Sequence, residues 1–404
     1  MNKKKAIIII IPFMLTIYSV FMLNFLSQDR ESSEAENRAL QQKPTWDNVV
    51  SKDYGQVYEK YYTDQFVFRD NILKLYTEQQ LNINKSKVNG YYIDEDGWVL
   101  EEPIIDIDEN HMNYLSNIIN SYSENLANKN KEVYYVSAPH KVNSLLQKLP
   151  GYVNPDHSIQ NKNRLLSSLN EDNINVIDLT DEINNKFTQE EREDFYFKTD
   201  HHWNSKGAYE GFKIIVDKIS KNNNLDIEIK DEDYKKTYIP NKKFLGSYNL
   251  NLYGLLDKNE KVPYVEKKES EEKKYYINDG NKFREAHYRE IFATYANEEE
   301  LTHAGAYTMD HLNYKIVNSK PIIDKKILIY RDSYHSAMSW MISDVFRGVE
   351  VVDPRHIDKV NLTSEQVAEN TDADIVLFMF NDLSFKDMIN QLDSETKIKL
   401  DYIK

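Results

Sequence analysis

Cysteine is absent from this chain of 404 residues. Its absence excludes disulfide bonds, catalysis by a thiol and metal sites built from thiolates, and it fits a bacterial exported protein that folds without disulfides. The sequence also has no internal repeat and no glycine-rich phosphate loop. Its hydrophobic content of 40% and aromatic content of 12% are ample for a packed core, so we expect one large domain or two ordinary ones.

Basic residues are too few to balance the acidic ones. Lys and Arg total 51 against 66 Asp and Glu, which gives a net charge of −15. Nucleic acid binding needs clustered Lys and Arg that neutralise phosphates, so we expect no nucleic acid partner. A polyanionic glycan would need a basic groove, and we find none in the sequence. A neutral glycan is easier to accommodate, although this charge also serves solubility alone.

The N-terminal segment is the most apolar part of the chain. Three lysines at positions 3–5 precede an uncharged stretch from Ala6 to Phe25. A helix of about twenty apolar residues crosses a bilayer, and the lysines favour a cytoplasmic N-terminus. A cleaved signal peptide is the alternative, but the stretch is long for one and no Ala-x-Ala site follows. We predict cytoplasmic lysines and a transmembrane anchor in 1–27, with residues 6–25 in the membrane, a membrane-proximal linker in 28–50 and an extracytoplasmic domain in 51–404.

Strand and helix patterns alternate through most of the extracytoplasmic part. Buried strands are predicted at 133–138, 176–179, 326–330, 349–352 and 375–380, with helices at 112–126, 159–169, 208–219 and 333–346. This order favours a parallel sheet with right-handed crossovers, whose sites lie at the carboxyl ends of strands. Residues 54–81 have helical spacing, and 91–100 have the pattern of a hairpin. Residues 222–320 break the alternation, and we interpret them as a partly β insertion.

The segment Asp200-His-His-Trp203 carries the first candidate catalytic groups. In an extended chain Asp200 and His202 project from one face, and His201 projects from the other. A carboxylate beside an imidazole is the pairing of a general base with the group that orients it. The same three residues are possible metal ligands, but adjacent histidines lack the i, i+4 spacing of the usual zinc motif. We therefore predict no metal and no cofactor.

Ser333 is the candidate nucleophile. It lies in Asp332-Ser-Tyr334, directly after the predicted strand that ends at Tyr330 and at the start of a predicted helix. Free amides and the dipole at a helix N-terminus stabilise an oxyanion. A serine there can also be an ordinary helix cap, so the hypothesis depends on its combination with Asp200 and His202. Together the three residues predict a serine-dependent acyl-transfer site.

These motifs resemble the DHHW family of bacterial membrane-anchored proteins, in the alginate O-acetyltransferase-like branch of the SGNH hydrolase superfamily. The segments that carry the resemblance are Glu36–Leu40, Asp64–Arg69, Ala138–Lys141, Asp200–Trp203, Gly246–Tyr248, Asp332–Tyr334 and Asp353–Arg355. The resemblance implies an α/β fold with a three-layer α/β/α domain. It also implies that Ser333 is the nucleophile, His202 its base and Asp200 the orienting acid. Relatives commonly have Gly before Asp-Ser, whereas this chain has Arg331.

The same resemblance implies acetyl transfer to an exported polysaccharide, with acetyl groups supplied by a membrane-bound O-acyltransferase. Further candidate residues are Gly246 and Asn381 as oxyanion donors, Trp203 for stacking on a sugar, and Arg355 for an acyl or glycan group. An aromatic residue next to a helix start is more often a core residue than a sugar contact, and Arg355 can equally form a structural ion pair. Two alternatives to the transferase stay open: a carbohydrate acetylesterase, and a non-catalytic scaffold that binds a glycan or a membrane acyltransferase.

Overall fold

Two compact units make up the chain in the computed structural model, which describes residues 3–33, 36, 38–153, 157–269, 272–278, 280, 282–292, 299–308, 311, 313–355 and 357–393. Unit 1 comprises residues 1–89 and 249–256, and unit 2 comprises 90–248 and 257–404. The predicted start of the extracytoplasmic domain at residue 51 stays a prediction. Residues 1 and 2 of the predicted cytoplasmic segment and parts of the predicted insertion lie outside the described residues.

Unit 1 is mainly helical. Its elements are α1 (Lys3–Leu26), β1 (Ser32–Ser33), β2 (Arg38–Ala39), α2 (Trp46–Ser51), α3 (Tyr54–Asp64), α4 (Arg69–Asn82) and β3 (Lys87–Val88). Within the described residues, α1 is the one helix that is long and apolar enough to cross a membrane, over Ile8–Leu26, and its window is 0% buried. It is a candidate single-pass anchor or signal sequence.

An ion-pair network holds the two motifs of unit 1 together. Arg38 donates two hydrogen bonds, of 2.7 and 2.8 Å, to the buried carboxylate of Asp64. Arg69 pairs with Glu36 at 2.9 Å. The Arg38 hydrogen bond is the main cause that lowers the pKa of Asp64 to about 2. The Glu36–Leu40 and Asp64–Arg69 motifs therefore have a structural explanation.

Unit 2 alternates strands and helices. Its first half contains β4 (Tyr91–Ile93), β5 (Val99–Glu101), α5 (Glu109–Ala127), β6 (Glu132–Ala138), α6 (Lys141–Ser144), α7 (Ser158–Ser167), β7 (Asn175–Asp178), α8 (Leu179–Lys186), α9 (Gln189–Glu193) and α10 (Ser205–Asn222). The predicted hairpin is present, because β4 pairs antiparallel with β5. The predicted helix after Trp203 is α10, and the Asn204 side chain caps it by accepting from the amides of Lys206 and Gly207.

The remaining elements contain the predicted insertion and the return to alternation. They are β8 (Tyr234–Tyr238), β9 (Lys243–Phe244), α11 (Ser247–Asn251), β10 (Pro263–Lys267), β11 (Lys273–Asn278), β12 (Phe283–Ala286), α12 (Tyr288–Ile291), β13 (Glu300–Leu301), α13 (His303–Ala306), β14 (Asn313–Asn318), β15 (Ile323–Arg331), α14 (Ser339–Val345), β16 (Phe346–Val352), α15 (Ser364–Asn370), β17 (Ile375–Asn381) and α16 (Phe385–Asn390). Short 3-10 turns lie at Leu146–Lys148, Asp231–Asp233, Ser333–Met338 and Ile357–Val360.

The central sheet of unit 2 has the strand order β12-β11-β14-β16-β15-β17-β6-β7. The five strands from β16 to β7 are parallel, as predicted. The strands β14, β11 and β12 continue the sheet with antiparallel pairing. These three come from residues predicted to form the partly β insertion, which therefore widens the sheet.

The sheet carries one apolar core on each face, because successive side chains of a strand point to opposite sides. In β15, Ile327 and Ile329 belong to one core, while Leu328 and Tyr330 belong to the other. The first core is covered by helices such as α8, α10 and α14, and the second by α5, α7, α15 and α16. The α/β fold with three α/β/α layers is thus confirmed.

Candidate active site

Ser333 lies at the carboxyl end of the central strand β15. Asp332 ties this end to β17: its Oδ2 accepts from the amide of Asn381 at 2.6 Å, and its Oδ1 accepts from the amide of Tyr334 at 2.8 Å. Ser333 is partly exposed, whereas both of its neighbours are buried. The helix predicted from Ser333 begins as a 3-10 turn and becomes α-helical only at Ser339.

The loop before α10 carries the acid and the base. Asp200 Oδ1 accepts from the backbone amide of His202 at 2.8 Å, the hydrogen bond of an aspartate-headed turn. The two side chains therefore meet because the chain turns, and the extended geometry predicted for this segment is wrong. His201 does not project to the opposite side, because its ring lies 3.6 Å from the His202 ring, centroid to centroid.

The structure brings the three predicted side chains into one hydrogen-bonded line. His202 Nδ1 lies 2.6 Å from Asp200 Oδ1, and His202 Nε2 lies 2.6 Å from Ser333 Oγ. Asp200 and His202 are almost fully buried, at 1% and 6% exposure. This is the arrangement in which an imidazole accepts a proton from a serine hydroxyl while a carboxylate orients the ring.

The surroundings of Asp200 favour its ionised form. Burial alone would raise its pKa, but the charge and hydrogen bond of His202 outweigh burial and lower the pKa of Asp200 well below its ordinary value. The amide of Ser247 also donates to Asp200 Oδ2, at 2.7 Å. A carboxylate at Nδ1 keeps the proton on that nitrogen, so Nε2 is free to accept from Ser333.

Lys141 holds the loop that carries Asp200 and His202, a role that the sequence did not reveal. Its Nζ donates to the carbonyls of Phe197 and Lys198, at 3.0 Å each, and of Asp200 at 2.6 Å. Three acceptors match the three N–H groups of an ammonium. Burial lowers the pKa of Lys141 to about 7. Lys141 belongs to the Ala138–Lys141 motif, which accordingly supports the loop that carries the acid and the base.

His303 is a second residue that the sequence analysis missed. Its ring stacks on the His202 ring with centroids 3.7 Å apart and planes 10° apart. His303 is buried, and burial lowers its pKa well below the ordinary value for histidine. It begins α13, inside residues predicted as an insertion of uncertain structure, and no motif in the sequence marks it.

Comparison with known proteins identifies the domain. Residues 93–291 match the family described as the SGNH hydrolase-like domain of the acetyltransferase AlgX. Over these residues the chain is similar to an SGNH hydrolase-like domain. The matched residues include Asp200 and His202, whereas Ser333 and His303 lie after them. No curated protein matches the chain.

Solved structures agree with this SGNH hydrolase-like fold. PatB1 of Bacillus cereus is 28% identical with a TM-score of 0.65, over 72% of this chain and 95% of PatB1. PatB1 with a sulfonyl adduct gives 27% identity and a TM-score of 0.65, over 72% of this chain and 94% of that one. A DHHW family protein from Eubacterium siraeum is 20% identical with a TM-score of 0.55, over 77% of this chain and 95% of that protein. The resemblance inferred from the motifs is confirmed.

Two further predicted site residues, Asn381 and Trp203, make other contacts in the structure. Both amide hydrogens of Asn381 are used, since its Nδ2 donates to Asp332 Oδ2 at 2.7 Å and to the hydroxyl of Ser384. Asn381 thus holds Asp332 in place, and its role as an oxyanion donor stays a prediction. Trp203 is fully buried and donates from Nε1 to the Tyr334 carbonyl at 2.8 Å. Trp203 therefore takes the core position named above as its alternative, because no face of the ring is open.

Gly246 lies against the loop that carries the acid. A Cβ built at this position would lie 2.1 Å from the Thr199 carbonyl oxygen. Only glycine permits this approach, which lets the neighbouring Ser247 amide reach Asp200. Gly246 thus supports the acid, and its role as an oxyanion donor stays a prediction.

The two arginines near the nucleophile share one carboxylate. Arg355 donates to Asp353 at 2.6 and 2.9 Å, the structural ion pair named above as an alternative. Its side chain is 39% exposed, so a role in substrate binding stays a prediction. Arg331 is 2% exposed, lies 3.4 Å from Asp353 and donates to the His311 carbonyl. It is turned into the protein and does not crowd Ser333.

The Asp200–His202 cluster also contains the residue types that bind metal ions. One ligand atom from each of Asp200, His201 and His202 lies within 4.8 Å of the others. However, these atoms already serve hydrogen bonds: Asp200 binds His202 and Ser247, and His201 Nδ1 lies 2.7 Å from the Ser247 hydroxyl. A metal would have to displace the bond that orients His202, so these donors fit the acid–base pair better.

Proposed function

We propose that this protein is a membrane-anchored, extracytoplasmic O-acetyltransferase that modifies a cell-surface polysaccharide through an acetyl-Ser333 intermediate. The observation that carries the proposal is the continuous line from Asp200 through His202 to Ser333, with 2.6 Å at each step. The family description of the matched domain, an acetyltransferase, supports it.

In the first half-reaction, Ser333 Oγ attacks the carbonyl carbon of an acetyl donor while His202 Nε2 takes the hydroxyl proton. Asp200 stabilises the imidazolium that forms. The tetrahedral oxyanion is stabilised by backbone N–H donors at the start of the 3-10 turn, with the Ser333 amide as the first candidate. When the intermediate collapses, the leaving group takes the proton from His202 and the acetyl group remains on Ser333.

In the second half-reaction, a sugar hydroxyl takes the place of the leaving group. His202 removes its proton as it attacks the acetyl carbon, and the proton returns to Ser333 Oγ when the ester bond breaks. Water in place of the sugar would make the same site an esterase. The partly exposed position of Ser333 is compatible with entry of a polymer hydroxyl.

The setting of the site supports a cell-surface role. Helix α1 is long and apolar enough for an anchor over Ile8–Leu26, and the lysines at positions 3–5 favour a cytoplasmic N-terminus. An outward-facing site cannot draw on cytoplasmic acetyl donors directly, so a membrane-bound O-acyltransferase is the proposed supplier. The negative net charge favours a neutral glycan as the acceptor.

A sulfonyl probe tests the nucleophile. PatB1 has been solved with a sulfonyl adduct, and sulfonyl fluorides react with serines that a neighbouring base activates. The full chain, purified in detergent, is treated with phenylmethanesulfonyl fluoride and digested for mass spectrometry. We expect one adduct, on the peptide that contains Ser333, and none in Ser333→Ala.

An acetyl ester donor then separates the possible activities. With 4-nitrophenyl acetate and a neutral oligosaccharide, a transferase yields acetylated sugar, an esterase yields acetate alone, and a scaffold yields neither above the Ser333→Ala background. Absence of both an acetylated sugar and a Ser333 adduct would rule out the proposed function.

A further inference from the structure

The rings of His201 and His303 enclose the catalytic imidazole from both sides. Their centroids lie 3.6 and 3.7 Å from that of His202. Two rings at such distances cannot share one face, so one lies above His202 and the other below it. Both distances correspond to van der Waals contact between rings. The His303 ring is nearly parallel to His202, at 10°, whereas the His201 ring is inclined by 35°, so the flat support comes from His303 and His201 limits movement on the other face.

The two flanking rings are themselves held in place. His201 Nδ1 lies 2.7 Å from the hydroxyl of Ser247, and its carbonyl accepts from the Tyr334 hydroxyl at 2.6 Å. His303 meets the Tyr307 ring edge-on, with centroids 5.0 Å apart and planes at 75°. The Tyr307 hydroxyl in turn donates to the Pro263 carbonyl at 2.9 Å.

The stability of the fold does not explain a histidine at position 303. Its Nε2 is buried and has no hydrogen-bond partner among the described residues. A buried polar group without a partner is unfavourable, and an apolar side chain of similar volume would avoid that penalty. A histidine at this place therefore needs a reason other than packing, and its parallel contact with His202 supplies one.

Contact with the flanking rings matters most between the two half-reactions, while Ser333 is acetylated. Before acylation, two in-plane hydrogen bonds hold His202, one to Asp200 and one to Ser333. Acetylation converts the Ser333 hydroxyl into an ester oxygen, which has no proton to donate. His202 is then held in its plane by Asp200 alone, and the ring can swing about that single bond unless its faces are blocked.

We propose that His303, with His201 on the opposite face, is a positioning residue that keeps His202 aligned while Ser333 carries the acetyl group. This inference rests on the proposed function. It predicts that loss of the His303 ring slows the second half-reaction more than the first. A residue that only stabilised the fold would affect both half-reactions equally.

The test compares His303→Leu with the native full chain in detergent. Rapid mixing with 4-nitrophenyl acetate gives a burst of nitrophenol, whose rate reports acylation and whose amplitude counts folded, competent sites. The steady-state rate with a glycan acceptor reports deacylation. We expect the steady-state rate per competent site to fall about tenfold or more in His303→Leu, with a burst rate within about threefold of the native value.

Further variants guard the conclusion. His303→Phe restores a flat ring and should recover a large part of the steady-state rate, whereas His111→Leu, at a solvent-facing position of α5, should match the native chain. Equal loss in both phases, or unchanged rates in His303→Leu, would overturn the proposal. If His303→Leu gives no burst, His303→Phe decides the question. A burst rate and a steady-state rate that fall by the same factor in His303→Phe would also overturn the proposal. If the native chain acetylates the sugar without a burst, loss of the acetyl group from Ser333 after addition of glycan is followed by mass spectrometry in both chains, and equal rates of loss would overturn the proposal. Absence of both an acetylated sugar and a Ser333 adduct in the native chain would instead refute the proposed function.

Discussion

Replacing Lys141 by Met should loosen the loop that carries the acid and the base. The substitution keeps most of the side-chain volume and removes the ammonium, which donates to three backbone carbonyls. The Lys198 carbonyl keeps a second donor, the Val99 amide at 3.0 Å. Within the described residues, the carbonyls of Phe197 and Asp200 accept from Lys141 alone, so these two become unsatisfied.

The cost can be worked from these two carbonyls. Each buried acceptor left without a donor costs about 1–3 kcal/mol, or about 2–6 kcal/mol together. Relief from burying an ammonium offsets part of that cost, and this burial is what lowers the pKa of Lys141. We therefore expect a net loss of about 2–3 kcal/mol in the free energy of unfolding and a fall in Tm on the order of 5 °C.

Catalysis should suffer more than stability. A displacement of about 1 Å in a catalytic group costs on the order of a hundredfold in rate. We expect kcat with 4-nitrophenyl acetate to fall by about that factor in Lys141→Met. The matched control is Lys221→Met, whose side chain is 71% exposed and forms an i, i+4 pair with Asp217. An exposed pair of this kind contributes little, so this variant should retain its Tm and its activity.

The pH dependence gives an independent check. Burial lowers the pKa of Lys141 from 10.5 to about 7. Because the folded chain holds this proton less tightly than the unfolded chain, unfolding takes up a proton and stability rises with pH from about 7 until the unfolded lysine titrates. The Tm advantage of the native chain over Lys141→Met should therefore grow between pH 7 and pH 10. An advantage that shrinks over this range, or unchanged Tm and kcat in Lys141→Met, would refute the reasoning.

Three further substitutions have direct expectations. Gly246→Ala would place a Cβ 2.1 Å from the Thr199 carbonyl oxygen, so we expect a lower Tm and little sulfonyl labelling; Gly55→Ala, with nothing within 4 Å, should be tolerated. Asp200→Asn should lower kcat by about a thousandfold or more, since an amide neither selects the tautomer nor stabilises the imidazolium, and a smaller loss would contradict the assigned role. Asp64→Asn should lower the Tm at neutral pH, and the difference should vanish as the pH falls from 3.8 to about 2, where the native carboxylate also becomes protonated; a difference that persists there would exclude the ion pair as its cause.

Much of the fold could be predicted because its signals are local. Alternating apolar side chains mark β15 and β17, and their order along the chain favours parallel pairing. The position of Ser333 follows from the rule that sites lie at the carboxyl ends of such strands. The motif also pointed to the pairing of Asp200 with His202, although the turn that makes this pair was predicted to be an extended segment.

The remaining features of the site could not be predicted, because they depend on contacts between residues far apart in the sequence. Asn381 was placed correctly at the end of β17, but nothing in the sequence shows that Asp332 takes its amide hydrogens. Lys141 reaches a loop more than fifty positions away in the chain. His303 is the clearest case, because one histidine among many polar residues carries no periodic or spacing signal. Such residues are recognised only when the fold brings them to the site.

The residues predicted to form an insertion are integral to the site in this structure. The parallel strands and the loop before α10 suffice to bring Ser333, His202 and Asp200 together, and all three lie outside that segment. Yet the same segment adds three strands to the sheet and supplies α13, whose first residue covers one face of the catalytic ring. Its aromatic support, Tyr307, also binds the amide of Ser205 at the start of α10. On the proposed mechanism, we therefore expect a change in this segment to slow the second half-reaction without touching Ser333, His202 or Asp200.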